Sequence, residues 1–185
     1  MRLRPWVKNC VAVGLASGYL EPLESTGIHL IQTAIARLVS FFPHAGFDAA
    51  DIDEYNLQTQ TEYERIRDFI ILHYKATTRS DTPFRDCCRT LSVPATLQCK
   101  IELFSSNARI FRDSLDVFAK ANWLQVMVGQ RVVPRAYHPL AQLAQLAELG
   151  ECREMAADVA EVIRQCVGVL PGNGEFIRDH CAAMC

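Results

Sequence analysis

The sequence predicts a mainly α protein with one or two short strands at its N-terminus. Three observations point there. From residue 25 onward, apolar residues recur at helical spacing. Only the stretch over residues 9–17 alternates as a strand does. No strand–helix–strand alternation is visible, so a parallel-sheet architecture is not indicated.

Residues 9–17 are small and apolar, and Val11, Val13 and Leu15 alternate, which predicts a short buried strand. Gly14 and Gly18 permit close backbone approach or an unusual φ at the turn that follows. Glu21-Pro22 interrupts regular structure, and a helix is predicted from about Ser25 or Thr26. Its amphipathic stripe is Ile28, Ile31, Ile35, Leu38, Val39 and Phe42, and Pro43 ends it. A second helix runs from Asp53 to Tyr74 on Ile66, Phe69, Ile70 and Tyr74, with acidic residues in its first turn where the dipole favours them. Residues 76–94 read as a polar connection around Asp81-Thr82-Pro83. Leu97, Ile101 and Phe104 mark a third helix. Leu115, Phe118, Trp123, Val126 and Met127 mark a fourth, closed by Gly129 and Pro134. After Pro139, the string LAQLAQLAEL and then Met155, Val159, Val162, Ile163 and Cys166 predict a long helix with a break near Gly150. Pro171-Gly172-Asn173-Gly174 reads as a turn, and Phe176 to Met184 as a last short helix. No long-period repeat or low-complexity tract stands out.

At 185 residues and 50% hydrophobic, the chain is able to bury the core of one domain or of one large piece of a domain. Its net charge is −2, from 19 basic and 21 acidic residues, and no Lys/Arg run occurs. That balance argues against a nucleic-acid or anionic-membrane surface. No apolar run approaches the ~18 residues of a membrane span. Residues 1–20 mimic a signal peptide, with a basic start and an apolar middle. The apolar stretch is short, Lys8 and Asn9 abut it, and it continues without a break into the motif described next, so a targeting role is not expected. The 8 cysteines form no CxxC pair, which argues against structural zinc. Several fall at expected helix-core positions, where free Cys behaves as a small hydrophobe. Reduced thiols in the cytoplasm are therefore expected over a disulfide framework.

The run with most chemistry is Gly14 to Ile28, a strand, a tight loop and a helix start. Ser25 and Thr26 are good N-cap residues. The amides just past the loop have no intrahelical acceptor, and the helix dipole adds positive potential there. Together these make a modest anion site, and Gly27 has no side chain to block it. Glu24 sits beside that site, where a carboxylate repels an anion, which suggests a catalytic or cation-binding role. Ordinary helix capping, with Glu24 near the positive helix end, explains the same residues.

The string LASGYLEPLESTGIHLIQ resembles the signature of flavin-dependent tryptophan halogenases. Further pieces match in order: IRDFIILHY at 66–74, Ser80 to Phe84 with Cys88-Arg89, Asn122-Trp123 with Gln125, Val128-Gly129-Gln130, Pro134, and Tyr137 to Leu140. The likeness runs from about residue 7 to the C-terminus. The Trp-Leu-Gln-Val-Met and Tyr-His-Pro-Leu strings look more like halogenases of indoles or unestablished substrates than like the free-tryptophan enzymes. The fold implied is the helical C-terminal portion of a flavin-monooxygenase-like halogenase. Residues 1–28 would form the halide and flavin site, and residues 29–185 the helical substrate side. Glu24 matches the active-site glutamate that contacts the substrate indole N–H or positions the halogenating species, and that takes the ring proton once halogen has added. Thr26 and Gly27 match the residues whose backbone amides hold chloride or bromide. Leu15 and Ile28 match flavin contacts, and Ser25 a neighbouring serine of the active-site loop. The reaction implied uses reduced FAD, delivered by a separate flavin reductase, with O₂, to oxidise halide to hypohalous acid. An active-site lysine then passes it to tryptophan, an indole or another electron-rich aromatic ring. The family also leaves room for a homodimer.

Parts of the family pattern are missing. No GxGxxG dinucleotide loop occurs, nor the pair of tryptophans separated by one residue. Lys8, Lys75, Lys100 and Lys120 match no catalytic lysine motif. Arg85 stands where family members usually carry Trp. A truncated or frameshifted gene product, incomplete sequence, or one half of a split enzyme each fits. The expectation is weak or no FAD binding by this chain alone, with an N-terminal half as partner. The competing functional reading is an inactive helical protein or interaction module with an exposed apolar face. Among other residues, His29 reads as a satisfied or exposed helix histidine. His73 suits the C-terminal end of its helix, and Trp123 fits either a substrate pocket or the core.

Overall fold

The computed structural model describes residues 1–112 and 116–181, with the side chains of residues 142–149 and of residue 152 outside the description. The chain divides into two compact units, Met1–Tyr137 and His138–Cys185.

The first unit opens with a hairpin. Trp6–Val7 (β1) pairs antiparallel with Cys10–Val11 (β2), Trp6 opposite Val11. Only Cys10–Val11 of the stretch expected as a strand is one. Gly14–Ala16 forms a 3-10 turn instead, and Leu15 is 78% exposed rather than buried. The cause is Gly14, whose φ of 62° ends the extended run. The hairpin is fixed to the body of the unit by Asn56. Its side chain accepts from the Trp6 amide at 2.8 Å and donates to the Trp6 carbonyl at 3.0 Å. The Trp6 ring is buried edge-on against Tyr55, with centroids 5.3 Å apart.

A second 3-10 turn, Pro22–Glu24, leads into α1, Gly27–Ser40. Next comes α2, Ala49–Lys75, which starts at Ala49 and not at Asp53 because the Asp48 carboxylate caps it, accepting from the Ala50 amide at 2.8 Å. The stripe expected on α1 is not its buried face. Leu30 and Ala34 are buried, whereas Ile28, Ile31, Ile35, Val39 and Phe42 are exposed. Large apolar residues lie most of the way around this helix. The side that meets α2 also carries Thr33 and Arg37, which bond Glu62 at 3.1 and 3.0 Å. Hydrophobicity alone does not select that side.

Residues 76–94 are not a plain connection. They contain α3, Pro83–Thr90, started by Thr82, whose hydroxyl accepts from the Arg85 amide, and by Pro83 in the first turn. The helices α4, Ala95–Asn107, and α5, Lys120–Gly129, follow as expected. Leu115, assigned above to the fourth helix, lies outside the described residues. Phe118 precedes α5 and stacks on Phe69 with centroids 3.9 Å apart. The main core is Phe69, Leu72, Leu97, Phe104, Trp123 and Met127, each side chain worth about 1.5–3 kcal/mol in burial. Trp123 is 2% exposed inside this cluster, which settles it as a core residue.

In the second unit, α6 spans Pro139–Val169 without the break expected at Gly150. One internal glycine costs about 1 kcal/mol, which the surrounding helix formers offset. His138 caps it, its ring accepting from the Leu140 amide at 3.2 Å. The helical residues Met155, Val159, Val162 and Ile163 are exposed. The last helix, α7, is Asn173–His180 and begins inside the expected turn; Met184 lies outside the described residues. The cysteines do not occupy the core as expected. Cys10, Cys87, Cys99, Cys166 and Cys181 are exposed free thiols and Cys88 is half-buried; the Cys152 side chain and Cys185 lie outside the description. Among the described residues, no helix is long and apolar enough to cross a membrane.

Candidate active site

The site is built on the backbone between the second 3-10 turn and α1. Pro22 pre-sets the first residue of that 3-10 turn. Ser25 then takes a left-handed conformation, φ 53° and ψ 31°, with its amide donating to the Pro22 carbonyl at 2.9 Å. That conformation costs an L-residue about 1–2 kcal/mol, so the surrounding structure holds it in place. Thr26 stands at the N-cap of α1 but its side chain caps nothing, so the simple capping explanation does not describe this turn. Among the described residues, the Thr26 and Gly27 amides find no protein acceptor. The dipole of α1 adds positive potential at the same place.

Leu15, Thr26, Gly27 and Ile28 come together in the lining of one cavity of about 270 Å³. Gly14, Gly18, Tyr19 and Tyr63 also line it, and its walls are largely apolar. The Tyr63 hydroxyl faces the carbonyls of Gly14 and Gly18 at 3.4 and 3.3 Å and so holds the loop to α2. Burial pushes the Tyr63 phenol above its ordinary range. A Cβ at Gly18 would lie 3.0 Å from the Tyr63 ring and 2.8 Å from the Met1 backbone, so glycine is required there. A Cβ at Gly27 would meet no protein atom within 4 Å.

Glu24 and Ser25 are not in that lining. The Glu24 carboxylate is instead 2.8 Å from His73 Nε2, at the end of α2. His73 and Leu23 line a second hollow of about 400 Å³, together with Tyr74, Thr77, Arg79, Phe84, Arg85, Cys88 and Gln130. The segment from Pro22 to Gly27 thus borders both spaces: Pro22, Thr26 and Gly27 the first, Leu23 the second. The Glu24 carboxylate, expected from the sequence beside the Thr26 and Gly27 amides, is thus paired with His73 and does not line the cavity those two residues share. In the second hollow, Tyr74 is edge-on to Phe84 at 6.4 Å. Burial first, then Glu21, pushes the Tyr74 phenol up. Arg85 pairs with Asp81 at 3.2 Å. A hydrogen bond from Arg79 holds the Asp81 carboxyl below its usual range.

Two residues escaped the sequence reading in these roles, Tyr63 and His73. Their signal was present, since Tyr63, Ile66, Ile70 and His73 follow helical spacing along one side of α2. His29 pairs with the buried Glu62 at 3.4 Å, as a satisfied helix histidine.

A mostly helical chain with a short N-terminal hairpin and this loop matches part of the solved flavin-dependent halogenases. The structure of Xcc4156, a flavin-dependent halogenase from Xanthomonas campestris, matches with a TM-score of 0.83 and 45% identity over 99% of this chain. BrvH, a flavin-dependent halogenase from Brevundimonas sp. BAL3, matches with a TM-score of 0.83 and 42% identity over 96% of this chain. The chain belongs to the tryptophan halogenase family, whose family model matches residues 1–145. Tryptophan 7-halogenase RebH from Lentzea aerocolonigenes is 30% identical over 96% of the chain. Tryptophan 6-halogenase ThaL from Streptomyces albogriseolus is 41% identical over 55% of it. The chain spans 36% of the length of Xcc4156, BrvH and RebH, and 19% of that of ThaL.

Proposed function

We propose that this chain supplies the halide-binding and carboxylate side of an FAD-dependent halogenase acting on tryptophan, an indole or a related electron-rich aromatic. The observation that carries this is the shared cavity at the start of α1, where two amides with no protein acceptor among the described residues meet exposed Leu15 and Ile28. Chloride or bromide is held by the Thr26 and Gly27 amides. Leu15 and Ile28 contact the flavin ring, and Ser25 fixes the loop through its left-handed backbone. The cavity fits the edge of a flavin ring, and no glycine-rich loop for the pyrophosphate occurs in the sequence. This portion is therefore a halide and ring contact, and we expect it to bind FAD weakly by itself. The chemistry supplied by bound reduced flavin with O₂ is oxidation of the halide to an electrophilic halogen.

Glu24 works on the other side of the turn. Its carboxylate accepts the indole N–H, orients the ring and takes the ring proton once halogen has added. A positioned base of this kind contributes ~10²–10⁴-fold. Residues 1–28 carry the halide and flavin contacts, and residues 29–185 the substrate side. Partners in this reading are a flavin reductase and an N-terminal half of the family type, in the cytoplasm. The exposed apolar residues of α1 beside the cavity, Ile31, Ile35 and Val39, support such a half as occupant of that surface.

Co-expression of this chain with the N-terminal half of a family member tests the reading. Halogenated indole should form, and Glu24→Gln should abolish it. Undiminished turnover by Glu24→Gln removes that residue from the mechanism.

A further inference from the structure

We propose that His73 is the positioning residue for Glu24, holding its carboxylate against the end of α2, where His73 itself lines the second hollow. This rests on the role of Glu24 argued above. The two His73 ring nitrogens have different partners. Nδ1 lies 2.8 Å from the Phe69 carbonyl, one turn earlier in α2. A carbonyl only accepts, so Nδ1 carries a proton. Nε2 is thereby left for Glu24, at 2.8 Å. When Nε2 also carries a proton it donates to the carboxylate, and the two side chains form a bonded pair.

The ring itself is constrained. It stands edge-on to Phe69, with centroids 5.0 Å apart and planes at 87°. Phe69 is buried, and Phe118 and Trp123 pack on it at 3.9 and 4.9 Å. The His73 side chain is 18% exposed and that of Glu24 30%. The order of support therefore runs from a rigid aromatic core to the imidazole and from the imidazole to the carboxylate. Glu24 lies in a short 3-10 turn and its side chain is 30% exposed, so without His73 its carboxylate is free to rotate into solvent. Misplacement of a catalytic group by about 1 Å costs on the order of 10²-fold.

Two measurements test this, the first on the chain alone. With ¹⁵N-labelled histidine, Glu24→Gln should shift the His73 Nε2 resonance and leave Nδ1, bonded to Phe69, in place. An unmoved Nε2 overturns the pairing. The second uses the co-expressed enzyme. His73→Phe should lower kcat by roughly 10- to 100-fold with substrate KM within about twofold. His73→Gln, which keeps a donor where Nε2 stands, should recover part of the loss. Equal turnover of wild type and His73→Phe overturns the positioning role. Unchanged turnover of Glu24→Gln beside a shifted Nε2 sinks the reading of Glu24 as the catalytic carboxylate and leaves the pair itself established.

Discussion

Gly27→Ala separates a glycine kept for a ligand from a glycine kept for the fold. Gly27 is the first residue of α1, and its φ is not among the positive values found at Gly14 and Gly46. A methyl group there meets no protein atom within 4 Å. The fold therefore has no reason to resist alanine. Restricting the unfolded chain should instead stabilise the protein by about 0.4–1 kcal/mol. With a urea slope of about 1–3 kcal/mol/M, the midpoint rises by a few tenths of a molar. The same methyl group occupies space in the cavity from which a halide reaches the Gly27 amide. A hydrogen bond to a charged group contributes about 1.5–3 kcal/mol, so halide affinity should fall roughly tenfold or more. Chloride linewidths in ³⁵Cl NMR, with bromide as competitor, report that affinity on the chain itself. Gly14→Ala is the contrasting control. Its φ of 62° and the Ile31 side chain 3.0 Å from the new Cβ predict a loss of about 1–2 kcal/mol. If Gly27→Ala destabilises by more than about 1 kcal/mol, or leaves competitive chloride broadening intact, the cavity is not a halide site of this design.

Two further outcomes follow from the packing and the phenols. Trp123→Ala, at 2% exposure beneath Phe69 and with Lys100 Nζ 4.7 Å above its ring, should cost about 3–5 kcal/mol in urea unfolding, and near-wild-type stability would deny Trp123 its place in the core. Burial raises both Tyr55 and Tyr63 above the ordinary 10.0, so the folded state holds these protons more tightly than the unfolded one. Their contribution is complete below pH 10 and is lost as pH rises through the folded values; Tyr63→Phe should flatten that alkaline decline, and an unchanged profile would count against the buried phenol.

The loop and helix start around Ser25 were legible in the sequence because their physics is local. A helix start, a residue without a side chain and a nearby carboxylate are all read from neighbouring positions. The partner of the carboxylate was not legible, because His73 reaches Glu24 only once α2 has folded back across the loop. Read alone, His73 suits a helix C-terminus equally well. The misread stripe of α1 has a related cause. Pattern reading favours the largest apolar residues, whereas contact with α2 falls on Leu30, Ala34 and a polar group, Arg37 and Thr33 around Glu62. The third helix was passed over because its composition is polar, although Thr82-Pro83 is a start signal. The strand ended early because one residue, Gly14, adopted a φ that alternation does not report.

One geometric fact bears on the proposal that an anion binds two residues from a negatively charged side chain. In a regular helix start, a carboxylate at that position would compete with a halide for the same amides. Here Ser25 turns left-handed between them. Thr26 and Gly27 then line the apolar cavity, while the Glu24 carboxylate is drawn away by His73 beside the second hollow. Under the proposed function, the strain at Ser25 serves to keep the Glu24 carboxylate out of the cavity that would hold the halide. Ser25→Gly tests this link, since it removes the strain without removing a contact. It should leave stability equal or slightly higher, while the freer loop lets the carboxylate exchange between partners. The His73 Nε2 resonance should broaden accordingly, and a sharp, unshifted signal would mean that the left-handed residue has no part in separating the charges.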